Sequence, residues 1–450
     1  MRAAAEPRVV RADRLEAPAR VPVVIVGAGA CGLMAAIALR DAGVECVLLE
    51  RDATPGGSTA LSSGFIPAAA TRVQKAQGIS DSAHCFAVDI GFKSKGTAAR
   101  HLVHAYAQAA TPALDRLGEH GLAFEVLTNF LYPGHRVHRM HTLRERTGAA
   151  LMAALHRAAL AAGADLLASA RVVELWADAQ DRILGVGIER PGGATEHIAC
   201  DALLLACNGF GGNPALVRDL IPGMRDATFA GHAGNDGSAI LWGQALGAAL
   251  ADLGGYQGHG SWVVPQGALM TWAVMMEGGV QLNTRGARFH EERRGYSEAA
   301  VDVLAQPGGI AWNVFGDTQL ALAREFPDFR AAEAVGALRT AADKVSLAAI
   351  IGCQPRKLAP EADALGPPFH AVRVTGALFH TQGGLDIDAQ CRVRRTDGSP
   401  FPNLLAAGGA ARGVSGNAVW GYLSGNGLLS AVAGGWIAAH TVAAQLAPQE

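Results

Sequence analysis

The stretch VPVVIVGAGACGLMAAIALRDAGVECVLLE, residues 21–50, constrains the fold more than any other part of the chain. An apolar run leads into Gly27, Gly29 and Gly32, a helical segment follows to a stop at Gly43, and a second apolar run ends on Glu50. Apolar runs without alternation mark parallel strands buried on both faces. In such a strand–turn–helix unit the first glycine permits the tight turn and the second lets backbone approach a pyrophosphate. The third lets helix and strand pack closely. Unpaired N–H groups at the helix mouth, with Ala28 and Ala30 beside them, then face the phosphates. Glu50 follows Gly32 by 18 residues, placed to accept ribose hydroxyls, and an acid there disfavours NADP. The unit predicts a dinucleotide site, with FAD and NAD both open.

The 450 residues suffice for two or three packing units or one large α/β unit with an insertion. Half are hydrophobic and 17% charged, so a large core is expected. A net charge of -2 and a pI near 6.7 argue against nucleic acid or an anionic membrane as partner. The seven cysteines follow no metal, haem or iron–sulfur spacing, which suits a reducing compartment and predicts a cytoplasmic location. Residues 1–20 carry no apolar signal segment and are expected to be a tail. No run is expected to reach the ~18 apolar residues of a membrane span.

Helical periodicity appears at 97–118 and 147–162, RVVELWAD with ILGVGIER suggests a strand pair, and DALLLAC another buried strand. Between about residues 255 and 380 the segments shorten and Pro, Trp and Met increase, before a final Gly-rich loop and long apolar helix. The run YPGHRVHRMH (132–141) is either a solvated basic loop or, through Arg139 and His141, a carboxylate clamp. No Cys or acid completes a ligand set there, so no metal is expected.

Several motifs in order then resemble one family, the flavoproteins of the fumarate reductase/succinate dehydrogenase superfamily. They are RDATPGGSTALSSGFIPAA (51–69), LLLACNGFGGNPALV (203–217), GNDGSAILWGQALGAAL (234–250), GGVQLNTRGARFHEE and FHTQGGLDIDAQCRV. The resemblance covers residues 22–440 and implies FAD. It also implies an α/β fold, a Rossmann-like FAD-binding domain (20–254 and 381–450) with an inserted α+β capping domain (255–380). FAD contacts are expected from Arg51, Gly57, Ser58, Thr59, Ser62, Ser63, Gly64, Val172, Asn208, Asp236, Gly409, Ser424, Asn426 and Leu428. The attachment histidine of succinate dehydrogenases is missing before GGST, so FAD is expected to be non-covalent. Ala410 stands where the family often has an acid.

The resemblance also shows what is missing. Fumarate reductases place a proton-donating Arg four residues beyond the Glu of their RF..E motif, and here Tyr296 stands four residues beyond Glu292. Tyr422 replaces their second, carboxylate-binding Arg, and Trp272 and Met275 fall near their Glu–Arg relay, while His380 matches a substrate-binding His. Tyrosine at both positions is similar to the 3-ketosteroid Δ1-dehydrogenases. By that resemblance Tyr296 is the base, with Tyr132 its assistant, and Tyr422 and the N–H of Asn426 polarise a ketone. His380, Arg139, His141 and His259 are expected to bind substrate. A Tyr base needs its pKa of about 10 lowered, for which Arg293 and Arg294 are the nearest cations.

The expectation is a FAD-dependent dehydrogenase that desaturates the bond next to a ketone. Its substrate is expected to be a small cyclic keto acid such as oxocyclohexanecarboxylate, and oxygen, a quinone or another carrier its electron acceptor. The alternatives are a fumarate-reductase-type ene reductase, a steroid-type 3-keto dehydrogenase and a non-catalytic flavoprotein.

Overall fold

The computed structural model describes residues 6–447. Its larger sheet has nine strands among the described residues. At its centre Ala19–Val26 runs parallel to Cys46–Leu49 on one side and Thr195–Leu205 on the other, in the register Val26 to Leu49 and Val26 to Leu205. The helix Ala30–Asp41 makes the crossover between the first two. Arg171–Ala177 and Ile183–Glu189 form the expected strand pair, which is antiparallel. Arg100–Glu119 and Gly148–Ala161 are the two expected helices, the second capped by the Thr147 side chain.

Two expectations need correction. Residues 1–5 of the tail lie outside the described residues, but Arg8–Arg11 is an edge strand, parallel to Arg171–Ala177. Its anchor is the Arg8 guanidinium on the buried carboxylate of Glu174, more than 160 positions away. The final helix, Asn426–Leu446, is long and apolar enough to cross a membrane by length and composition, with a mean hydropathy of 1.4. Half of that window is buried inside the chain, where Leu429, Val432 and Ala433 join the main core. Gly435 lets it lie on Ala30–Asp41, since a Cβ there would stand 2.4 Å from the Cys31 carbonyl oxygen.

The second sheet has seven strands among the described residues, most of them from the 255–380 segment. Its long strand, Phe369–Thr381, pairs antiparallel with Tyr256–Val263 and with Ile310–Phe315. One short strand from outside the insertion, Thr228–Phe229, also joins it. The helix Tyr296–Leu304 sits directly on this sheet because Gly258 and Gly260 leave no side chain between them. A Cβ at either would come within 2.7 Å of Ala300 or Ala299. That close seat positions Tyr296, the helix's first residue.

Candidate active site

One continuous cavity runs from the glycine turn to Tyr296. At the turn, Gly27 has φ +104, and a Cβ there would lie 2.6 Å from the Ala206 carbonyl oxygen; one on Gly32 would lie 2.0 Å from the Gly27 oxygen. The first and third glycines therefore do what their spacing predicted. Buried Glu50 lines the cavity, accepting the Ala28 N–H through Oε2 and the Asp52 N–H through Oε1, both at 3.0 Å. Thr59 accepts the Ala30 N–H.

Gly29, Gly57, Ser58, Ser62, Ser63, Gly64, Val172, Gly409, Ser424 and Leu428 all line the same wall. Ser58 Oγ is held by the side-chain amides of Asn208 (3.0 Å) and Asn235 (2.9 Å), the latter missed in the sequence. Arg51 donates to Asp236 at 3.0 Å, and Ser63 to Asp328 of the cap. Ala410 is buried in the turn Gly408–Ala410 and brings no acid.

Two buried polar atoms at the start of the last helix, Asn426 Oδ1 and Ser430 Oγ, find no protein partner among the described residues. Ser430 lines the cavity. Buried polar atoms seldom remain unpaired, so a bound group with polar edges fits there. The glycine cradle, the acid at the end of the second strand and the unpaired Ser430 hydroxyl on the wall together fit FAD, whereas Asn426, an expected contact, is not on the wall.

The other end is built from distant segments. Tyr296 and Tyr422 meet edge to face, ring centroids 6.1 Å apart, and Tyr132 packs on Phe130 and Phe65 nearby. His259 lies flat on Tyr296 at 4.7 Å, and His380 stands edge-on to Tyr422 at 5.5 Å. All five line the cavity. Burial, and then the neighbouring Tyr422, push the Tyr296 phenol well above its ordinary value, although a Ser424 hydrogen bond opposes this. Burial also raises Tyr422 and Tyr132. It lowers His259 to about 3 and His380 to about 4, so both rings are neutral. The Ser261 N–H donates to His259 Nδ1, which leaves the imidazole proton on Nε2.

Four sequence expectations fail here. Arg139 is no clamp: fully buried, it donates to Asp81 at 2.6 and 2.8 Å and also to Asp89. His141 is buried between Thr71 (2.8 Å) and the Arg139 carbonyl, outside the cavity wall. The N–H of Asn426 is already used by the Leu423 carbonyl at 3.0 Å, and the groups that oppose the burial-raised pKa of Tyr422 are the Gly427 N–H, the Tyr296 hydroxyl and the Gly425 N–H. Arg293 and Arg294 are exposed and do not lower Tyr296.

The charged residues on the cavity wall are Glu50, Arg51, Asp52, Arg171 and Asp236, all grouped at the nucleotide end. Among the described residues, the tyrosine end has none. Its wall is completed by Gln257 and Thr271, which the motifs did not indicate, by Trp272, and by Phe379, Thr381 and Gln382 of the FHTQGG motif. Gln257 lies opposite His380 in the strand pair, a relation visible only once that pairing is known.

A family model described as a FAD binding domain matches residues 22–428. The NADH:fumarate oxidoreductase of Klebsiella pneumoniae (strain 342) is 26% identical over 449 residues, covering 95% of this chain and 48% of its own length. This chain thus spans about half of that relative. The 4-oxocyclohexanecarboxylate 2-dehydrogenase of Sinomonas cyclohexanicum is 24% identical over 94% of this chain and 93% of its own. The crystal structure of a 3-ketosteroid-Δ4-(5α)-dehydrogenase from Rhodococcus jostii RHA1 superposes with a TM-score of 0.76 at 23% identity. It covers 97% of this chain and 99% of that one, a likeness of fold.

Proposed function

The chain belongs to the FAD binding domain family, and we propose that it is a FAD-dependent oxidoreductase that desaturates the carbon–carbon bond next to the carbonyl of a small cyclic ketone. The observation that carries this reading is the pair Tyr296 and Tyr422, facing each other on a wall without charge. A C–H beside a carbonyl becomes acidic when donors stabilise the enolate oxygen as it forms. Tyr422 donates to that oxygen, and the Gly425 and Gly427 N–H groups on its own oxygen strengthen it as a donor. Tyr296 takes the α-proton as the phenolate, having lost its own proton to solvent, with the Ser424 hydrogen bond favouring that ionised form. Bound FAD supplies the acceptor for the β-hydride.

FAD is held non-covalently in this reading, by the Gly27 turn, Glu50 and the 57–64 loop. The seven cysteines are all unpaired, in keeping with a reducing cytoplasm. A soluble carrier, a quinone or oxygen reoxidises the flavin.

The uncharged wall also bears on the substrate. Of the cations expected to hold a ring carboxylate, Arg139 and His141 are engaged elsewhere and His380 is neutral. The ring is therefore recognised through its ketone, and a carboxylate such as that of oxocyclohexanecarboxylate meets neutral donors alone.

A second reading, reduction of a C=C conjugated to a carbonyl, draws on Tyr296, whose raised pKa keeps a proton ready for the α-carbon. Anaerobic mixing of the oxidised holoenzyme with cyclohexanone and 4-oxocyclohexanecarboxylate tests the main reading by flavin bleaching. Bleaching by ketones and not by succinate is expected. Bleaching by succinate alone would overturn it, and turnover only with reduced viologen and an enone would favour the second reading.

A further inference from the structure

The reading above leaves open how Tyr296, on the cap, is held in place against Tyr422 and Tyr132, which come from the FAD domain. We propose that Lys93 is a positioning residue for Tyr296, a latch from the FAD domain that fixes the first turn of the tyrosine's helix. The proposal rests on the assignment of Tyr296 to proton transfer.

Lys93 ends the helix Ala83–Lys93 and belongs to no motif that points to the site. Its ammonium crosses to the cap, donating to the Arg294 carbonyl at 2.7 Å and to the carboxylate of Glu298. Those two acceptors bracket Tyr296, two residues before it and two after. Between them Gly295 takes φ +133, a conformation open to glycine, and a Cβ there would lie 3.3 Å from Lys93 Nζ. The chain thus turns sharply around the ammonium just before the tyrosine.

The pair is also shielded. The Lys93 and Glu298 side chains are only 11% and 9% exposed. Surface ion pairs contribute little, whereas one removed from water has a defined geometry and leaves its partner destabilised when broken. Among the described residues Glu298 Oε2 has no hydrogen-bond partner, and the cation bonded to that carboxylate, at Oε1, is Lys93.

The stem of Lys93 serves the other two tyrosines. It packs beneath Gly134, where a Cβ would lie 3.4 Å from Lys93 Cδ and 2.6 Å from Leu423 Cδ1. Gly134 follows Tyr132 by two positions, and Leu423 follows Tyr422 by one. The segments carrying all three tyrosines therefore converge on this lysine. Proton transfer is sensitive to such placement, since a displacement of about 1 Å can cost about 10²-fold in rate.

The test uses FAD-loaded full-length protein carrying Lys93→Met, Lys93→Arg or Glu298→Gln. Lys93→Met is expected to slow flavin reduction at saturating ketone by about 10²-fold, with KM and FAD content little changed. It should slow exchange of the ketone's α-protons with heavy water in parallel. Lys93→Arg, which keeps the charge and a donor, should restore most of the rate. Glu298→Gln should fall between them. Independently of any substrate, amide hydrogen exchange over residues 294–300 should accelerate in Lys93→Met and not over the 27–33 turn.

Wild-type exchange at 294–300 in Lys93→Met would overturn the latch. So would a loss of rate matched by equal loss from Lys93→Arg, or one explained by lost FAD. If the wild type reduces its flavin with no ketone while exchange at 294–300 still responds to Lys93, the functional reading fails and the latch stands.

Discussion

The two ends of the cavity are made in opposite ways. The nucleotide end uses backbone and charge: a glycine turn, Glu50 on the Ala28 N–H, and the Arg51–Asp236 pair, most of it supplied by short contiguous stretches. The tyrosine end uses neutral rings from segments near 132, 259, 296, 380 and 422, with no charged group on its wall. The first recognises a ligand that is itself charged and polar. The second holds protons on phenols and keeps imidazoles neutral through burial, conditions suited to moving one proton and one hydride without a competing anion. Charge therefore belongs to cofactor retention and hydroxyl placement to turnover, and substitutions at the two ends should separate these properties.

The largest effect is expected at the tyrosines. Tyr296→Phe keeps the ring against His259 and removes only the hydroxyl, so flavin reduction should slow by about 10²–10⁴-fold while FAD stays bound. Tyr422→Phe should lose about 10²–10³-fold, the usual range for one oxyanion donor. Stopped-flow bleaching under anaerobic conditions measures both. The phenol of Tyr296 lies well above 10, so the fraction able to accept a proton grows with pH, and the wild-type rate should climb through the alkaline range. His259 and His380 titrate near 3 and 4, so their protonation should remove no activity above pH 5. A plateau at neutral pH would assign the base to another group.

Next comes Arg139, where sequence and structure disagree most. As a clamp its loss would raise the KM of a keto acid. As observed, it neutralises the buried carboxylates of Asp81 and Asp89, so Arg139→Met should cost about 3–5 kcal/mol of stability in urea unfolding. Protein that does fold should reduce its flavin at the wild-type rate. Unchanged stability with a raised KM would return Arg139 to the substrate.

The failures share one physical cause. Arg139 looked free because its acids lie 58 and 50 positions earlier, and no local pattern reports such a pairing. Arg8–Arg11 looked like a tail because its strand partner is more remote still, 166 positions away. The N–H of Asn426 was taken by the turn three residues before it, and burial rather than the adjacent arginines decided the direction of Tyr296. What was legible was local: the glycine turn, Glu50, the Ser-rich loop, and the spacing that placed tyrosines at 296 and 422. Lys93 was invisible because its contacts with Arg294 and Glu298 span 201 and 205 positions.

At the nucleotide end a smaller effect is expected. Glu50→Ala frees the Ala28 and Asp52 N–H groups at the helix mouth and removes a ribose partner, which should weaken FAD binding by about 1–3 kcal/mol. Titration of the apoprotein with FAD checks this, and unchanged affinity would remove Glu50 from the site. Flavin reduction in the fully loaded variant should stay near wild type, because Glu50 sits among the nucleotide-end residues.

The smallest effect concerns the substrate's own charge. A carboxylate paired with a cation in a buried site gains about 1.5–3 kcal/mol from a charge-assisted bond. The tyrosine end offers neutral groups such as His380, Gln382 and Thr271, so a ring carboxylate gains at most an ordinary hydrogen bond against the cost of leaving water. Cyclohexanone and 4-oxocyclohexanecarboxylate should then differ by less than about tenfold in kcat/KM, the equivalent of about 1.4 kcal/mol. Replacing His380 with Gln should leave that ratio nearly unchanged, because both are neutral donors. A keto acid preferred by a hundredfold or more, with the preference lost in His380→Gln, would mean that substrate binding protonates His380. The uncharged wall would then describe the free enzyme alone.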